Sequence, residues 1–172
     1  ALTLQLYIEE GVATQLRSDI DKLRQILKNF LSNAIKFTLK GQIWIRLERA
    51  EAPYKVIISV VDQGIGISRD KQGMIFEAFK QADGSTRRRY GGTGLGLTIS
   101  RDLAELLCAE IQVESRSGKG ACFSLLLPAE CGERDDTSVA AKRTIAIPQE
   151  SIERPQLPSA NFEGNKVLLV AQ

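Results

Sequence analysis

Histidine is absent from all 172 residues. That removes the commonest transition-metal ligand and the side chain most often used as a general base near neutral pH. Cysteine occurs three times, as Cys108, Cys122 and Cys131, an odd number without metal-site spacing. This fits reduced thiols in a cytoplasmic setting, with the first two as core filler. No apolar run approaches the ~20 residues of a membrane helix, and the N-terminus does not have the form of a signal peptide. An excess of one charge is also missing. Lys and Arg total 23 against 21 Asp and Glu, a formal charge of +2, too near balance to argue for nucleic acid. The one basic run, Arg87-Arg88-Arg89, is short and lies beside a glycine cluster, so phosphate is the better partner for it.

The chain does contain enough apolar side chains for a core, 43% apolar against 26% charged, which suits one domain plus an appendage. Four of its five prolines fall between Pro128 and Pro158, where the sequence turns polar and loses periodicity. Residues 1–129 therefore read as one domain and 130–163 as a flexible linker. Beyond it, Asn165 to Val170 looks like one buried strand, which cannot fold alone. It either opens a second domain or pairs with the first. Within 1–129, alternation at Leu2, Leu4, Leu6 and Ile8 suggests a strand, and Ser18 or Asp19 can cap a helix running to about Phe37. Strands are expected at Gln42–Arg49, Lys55–Val61, Ile111–Ser115 and Ala121–Leu127, with a helix from about Leu95 to Ala109. Between Ser68 and Gly92 only Met74–Phe79 looks ordered, which marks a long lid. Helices interleaved with a mixed sheet predict an α/β two-layer sandwich, helices covering one sheet face.

Three constellations carry chemistry. Gly91-Gly92-Thr93-Gly94-Leu95-Gly96-Leu97 places four glycines in six positions just before an apolar helix. Such a run lets backbone N–H groups approach a ligand at the positive end of a helix dipole, and polyphosphate is the natural occupant. The plainer alternative is a flexible loop before a core helix. On the first helix, Leu23, Ile26, Leu27, Phe30, Leu31 and Ala34 form the core stripe, while Asn29, Asn33 and Lys36 share a neighbouring ridge. Asparagine is a mediocre helix former. Its carbonyl oxygen is a hard neutral ligand suited to Mg²⁺, although both amides could instead bond to neighbouring loops. Finally, Asp62-Gln63-Gly64-Ile65-Gly66 closes a strand with a carboxylate and two glycines, able to accept from an exocyclic amine while a flat ring lies against backbone.

Taken together, these segments resemble the boxes of sensor histidine kinases. Asn29 to Thr38 resembles the N box, Asp62 to Gly66 the G1 box, Phe76 to Phe79 the F box and Gly92 to Leu97 the G2 box, all in the family's order. The resemblance covers residues 1–128 and implies a Bergerat-fold ATP-binding domain. Phe79 to Thr86 is similar to hybrid kinases, where a receiver domain follows, and 164–172 would be the first strand of a truncated receiver. By this resemblance, ATP and Mg²⁺ are the cofactors. Asn33 and Asn29 would hold the metal, Lys36 would approach the phosphates, and Asp62 would accept from the adenine amine. Gly64 and Gly66 would shape the base pocket. Gly92, Gly94 and Gly96, with Thr93, Leu95 and Leu97, would border the phosphates. Arg88 or Arg89 would neutralise developing charge, and Phe76 and Phe79 would anchor the lid.

Related ATPases of the fold resemble one another in carrying a glutamate where this chain has Asn29. An amide cannot activate water as a base, so hydrolysis is disfavoured. The acceptor implied by the resemblance is a histidine on a separate dimerisation domain, and this chain has no histidine to offer. The expectation is therefore a half-enzyme, with Asn29, Lys36 and Arg88 in its catalytic set. Its partners would be the histidine-bearing domain and a receiver or response regulator, with no nucleic acid and with a membrane reached only through another part of the parent protein. The alternative is a non-catalytic ATP-sensing interaction module. Cys108-Ala109 stands where the family usually places paired glycines, which removes an easy left-handed helix cap. Ala121 replaces a frequent threonine, and Ala171-Gln172 stands in place of a receiver's acidic pair.

Overall fold

Asp19 caps the first helix: its carboxylate accepts from the N–H groups of Asp21 and Lys22 at 3.0 and 3.1 Å and also meets the Lys22 ammonium. From that start α1 spans Ile20–Phe37. It buries Ile26, Phe30 and Ala34 at spacings of four and turns Asp21, Arg24 and Lys28 to solvent. Thr38 ends it, donating its N–H to the Ala34 carbonyl at 3.1 Å. The structure is a computed structural model that describes residues 1–77, 94–129 and the backbone of 167–170. The expected linker 130–163 lies outside the described residues.

Among the described residues six strands form one mixed sheet: β1 (Leu2–Ile8), β2 (Gly41–Arg49), β3 (Tyr54–Asp62), β4 (Glu110–Ser115), β5 (Ala121–Pro128) and β6 (Val167–Val170), in the order β4-β5-β3-β2-β1-β6. Only β1 and β2 run parallel, as a strand pair joined through a helix must when the helix crosses back over the sheet. The other neighbours are antiparallel. Ile45, Val60 and Phe123 share one row and Leu47, Ile58 and Leu125 another. This face takes α1 and α3 (Gly96–Leu106). Phe30 lies against Phe123 with ring centroids 5.4 Å apart, and Ala104 and Leu107 complete the buried cluster from α3. The opposite face is mostly polar. Trp44 Nε1 donates to Gln5 Oε1 at 2.8 Å, Ser59 and Ser124 hydroxyls meet at 2.9 Å, and the Arg46 guanidinium stands over the Tyr7 ring while pairing with Glu48. The expected α/β sandwich with helices on one face is thus the observed fold.

Local expectations change at the end of α3 and at Cys108. Of the stretch 68–92, residues 68–77 are described and contain one helical turn, α2 (Arg69–Gln72); the expected run Met74–Phe79 ends outside the described residues. Ser68 provides an extended start, Gly73 follows the end, and the Gln72 side chain anchors the turn from within. Helix α3 stops at Leu106, earlier than the expected Ala109. Ala109 N–H bonds to Ala104 O at 2.8 Å and Cys108 N–H to Glu105 O at 3.1 Å, the paired bonds of a Schellman cap, with Cys108 at φ 52° in the left-handed position usually given to glycine. Cys108 is disulfide-bonded and only half-buried, against the expectation of a reduced, core-filling thiol. The cap lifts it off the end of the helix and out of the core. Cys122 remains a free thiol, half-buried on the polar sheet face. Of 164–172, expected to begin a receiver domain, Val167–Val170 lies as β6 at the free edge of β1, Thr3 opposite Val170. An apolar strand without a sheet of its own satisfies its backbone at such an edge.

Candidate functional site

The β2–β3 register sets Ile43 opposite Asp62 at one end and Arg49 opposite Val56 at the other. The site residues gather at the Asp62 end. α1 finishes there, since Phe37 O accepts from Ile65 N–H at 3.3 Å. An open cleft lined by Gly11, Thr14, Arg49, Tyr54 and Lys55 occupies the opposite end and contains no expected site residue.

Asp62 is buried, 8% exposed. Its Oδ1 accepts from Gly64 N–H at 2.7 Å and from the Thr38 hydroxyl at 3.4 Å. Burial pushes its pKa above the ordinary carboxylate value, opposed by the N–H of Gly64, the Thr38 hydroxyl and the N–H of Ala121. The glycines after it have a reason beyond a flat ligand. A Cβ on Gly64 would stand 2.4 Å from Phe37 O, and one on Gly66 would stand 2.0 Å from Arg116 O. Gly66 also has φ 65°. The loop is thus wedged between the end of α1 and the β4–β5 turn. Gly118 N–H donates to Ile65 O at 2.6 Å, Ile67 N–H to Ser115 Oγ at 2.8 Å, and Gln72 Nε2 to Ile67 O and Ser115 O at 3.1 and 2.7 Å.

On α1, the ridge residues diverge. Asn29 Nδ2 donates to Gly96 O at 2.9 Å and to Ser100 Oγ at 3.0 Å, which ties α1 to the first turn of α3. Asn33 is half-buried, and its amide makes no hydrogen bond with a described residue. The Lys36 ammonium lies 5.0 Å from the centroid of the Phe37 ring. Among the described residues no three His, Cys, Asp or Glu side chains converge as a metal cluster. A cation here would take amide oxygens and phosphate.

Helix α3 opens without a capping side chain: Leu95 at its N-cap gives no side-chain bond, which leaves first-turn N–H groups for another acceptor. Gly94 has φ 71°. A Cβ on Gly96, by contrast, would only touch the Asn29 amide at 3.7 Å. Thr98 Oγ1 donates to Phe76 O at 3.0 Å and ties the segment after α2 to α3. Phe79, Arg88, Arg89, Gly92 and Thr93 lie outside the described residues. Thr38, Gln72, Thr98 and Ser100 were not singled out as site residues. The only signal was a polar residue in an otherwise apolar stripe, which Ser100 gives.

Residues 18–130 match the family model described as histidine kinase-, DNA gyrase B-, and HSP90-like ATPase. The autoinducer 2 sensor kinase/phosphatase LuxQ of Vibrio vulnificus is 41% identical over 173 residues, covering 98% of this chain and 19% of the relative. The circadian input-output histidine kinase CikA of Synechococcus elongatus is 45% identical over 130 residues, covering 75% of this chain and 17% of the relative. The chain thus spans under a fifth of the length of either. Full-length ShkA in complex with AMPPNP superposes with a TM-score of 0.63 at 32% identity, covering 76% of this chain and 27% of ShkA. The catalytic domain of histidine kinase ThkA superposes with 0.61 at 27%, covering 74% of this chain and 80% of that domain.

Proposed function

The chain belongs to the histidine kinase-, DNA gyrase B- and HSP90-like ATPase family, as an ATP-binding catalytic domain of the histidine kinase type, and we propose that it directs the γ-phosphate of Mg²⁺-bound ATP to a histidine on a separate dimerisation domain. The observation that carries this reading is the buried Asp62 carboxylate, fixed by Gly64 N–H at the sheet end where α1 finishes. Asp62 accepts from the adenine amine, beside a base pocket shaped by Gly64 and Gly66. Asn33 and Asn29 offer neutral amide oxygens to Mg²⁺, which keeps its remaining positions for phosphate and water. The ion, when bound, neutralises charge on the β- and γ-phosphates.

Lys36 approaches the phosphates, which Gly92, Thr93, Gly94, Leu95, Gly96 and Leu97 border with backbone N–H groups. Arg88 meets charge that develops during transfer, and Phe79 anchors the lid. Because Asn29 cannot take a proton from water, the bound nucleotide survives until a histidine arrives. Catalysis then rests on orientation and electrostatics. The phosphoryl group passes onward to a receiver or response regulator, and 164–172 belongs to the start of such a receiver. Since ATP is the donor, the domain works on the cytoplasmic side of a membrane-anchored sensor. No helix among the described residues is long and apolar enough to cross a membrane itself.

Mixing the chain with the histidine-bearing dimerisation domain and γ-labelled ATP tests the proposal. Label should appear on histidine at a rate well above release of free phosphate. ATP binding without labelled histidine would overturn the kinase reading in favour of a nucleotide-sensing module.

A further inference from the structure

Ser100 is fully buried, at 0% exposed, and its hydroxyl has two neighbours. Oγ donates to Gly96 O at 2.9 Å, the back-bond of a serine to its own helix. With its proton so used, Oγ accepts from Asn29 Nδ2 at 3.0 Å. Nδ2 also donates to Gly96 O at 2.9 Å. The amide nitrogen, the hydroxyl and the carbonyl thus form one network, in which Nδ2 donates to both oxygens. Rotating the amide by half a turn would set Oδ1 against Gly96 O, which has no proton to give, and would leave Nδ2 without either acceptor. The pattern of donors therefore fixes the orientation chemically. Oδ1, the atom able to ligate a cation, makes no hydrogen bond with a described residue, and a Cβ on Gly96 would lie 3.8 Å from it.

We infer that Ser100 is a positioning residue, which holds the Asn29 amide so that Oδ1 is presented to the nucleotide-bound cation. The inference rests on the reading in which Asn29 ligates Mg²⁺. It also gives position 29 a second constraint. A carboxylate there brings only acceptors to Gly96 O. The Ser100 hydroxyl would have to turn to it and abandon the Gly96 carbonyl, which would lose both of its side-chain donors and keep only its own helix bond. The first turn of α3 selects an amide on α1, so the lack of a general base follows from how the two helices are joined.

Ser100→Ala and Asn29→Ala in the 172-residue chain test this. Affinity for a fluorescent ATP analogue is measured with Mg²⁺ and with EDTA, and the Asn29 side-chain NH₂ pair is followed by ¹⁵N NMR without nucleotide. Ser100→Ala should lower the Mg²⁺-dependent gain in affinity on the order of tenfold and leave the affinity in EDTA nearly unchanged. The Asn29 NH₂ pair should move towards free-amide shifts and faster solvent exchange. Ser100→Thr, which keeps the hydroxyl, should restore both. Equal losses with and without Mg²⁺ mean that Ser100 only packs, and the inference fails. If Asn29→Ala loses the Mg²⁺-dependent gain and Ser100→Ala keeps it, Asn29 is a ligand but Ser100 does not position it. If neither variant changes the gain, the reading of Asn29 as a ligand fails first.

Discussion

Replacing Gly66 with alanine should be among the most damaging single changes in the site, and Gly118 provides its control. Both residues have left-handed backbones, φ 65° and 74°. A non-glycine residue in that region costs about 1–2 kcal/mol, partly offset by about 0.4–1 kcal/mol from a less flexible unfolded chain. For Gly118 nothing lies within 4 Å of the new Cβ, so Gly118→Ala should lose about 1 kcal/mol. At Gly66 the Cβ would stand 2.0 Å from Arg116 O and 3.0 Å from Gly120 O, both backbone. The loop must move off the β4–β5 turn, which breaks the bond from Gly118 N–H to Ile65 O and that from Ile67 N–H to Ser115 Oγ. Each lost bond costs about 0.5–1.5 kcal/mol where water can take its place, so with the backbone strain Gly66→Ala should lose about 2–4 kcal/mol in all. Urea unfolding followed by circular dichroism measures both variants, and thermal midpoints should fall by about 2–4 °C per kcal/mol. A loss at Gly66 no larger than at Gly118 would refute the steric argument.

Asp62→Asn should change how stability responds to pH. A carboxyl with a raised pKa binds more protons in the native state, so its relative stability is full below the ordinary value near ~4 and is lost as pH rises through the raised value. The melting temperature of Asp62→Asn relative to the parent should therefore climb across that window; a constant difference would mean that Asp62 titrates normally. Cys108→Gly, compared with the parent in strong reductant, should gain about 0.5–1 kcal/mol by relieving the left-handed backbone. A loss of stability in reductant would show that the side chain contributes more than the cap strains.

Much of the fold was legible because its signals are local. Alternation along β1 and β2 reflects a sheet with one apolar and one polar face, and the Ile26, Phe30, Ala34 spacing reports the buried side of α1. The cap at Asp19 follows from chemistry within three residues. Other features depend on partners distant in sequence. The demand for glycine at positions 64 and 66 arises from the carbonyls of Phe37 and Arg116, which become neighbours only once the sheet has formed. Asn29 and Ser100 are 71 positions apart, so neither helix pattern announces their bond. The end of α3 was misjudged because cysteine rarely takes the position that a Schellman cap requires. The Lys36 ammonium lies 5.0 Å from the centroid of the Phe37 ring, a local contact that helical spacing does not reveal.

The placement of the site at one end of β3 has a practical consequence for anyone who wishes to watch this domain at work. Tyr54 and Asp62 bound a strand of nine residues, so their ends are separated by about 27 Å. The β2–β3 turn around Glu51, exposed and remote from Asp62, can therefore carry a dye or a surface tether. A probe at that turn reports rotation and docking of the whole domain, and nucleotide exchange at the opposite end proceeds without touching it.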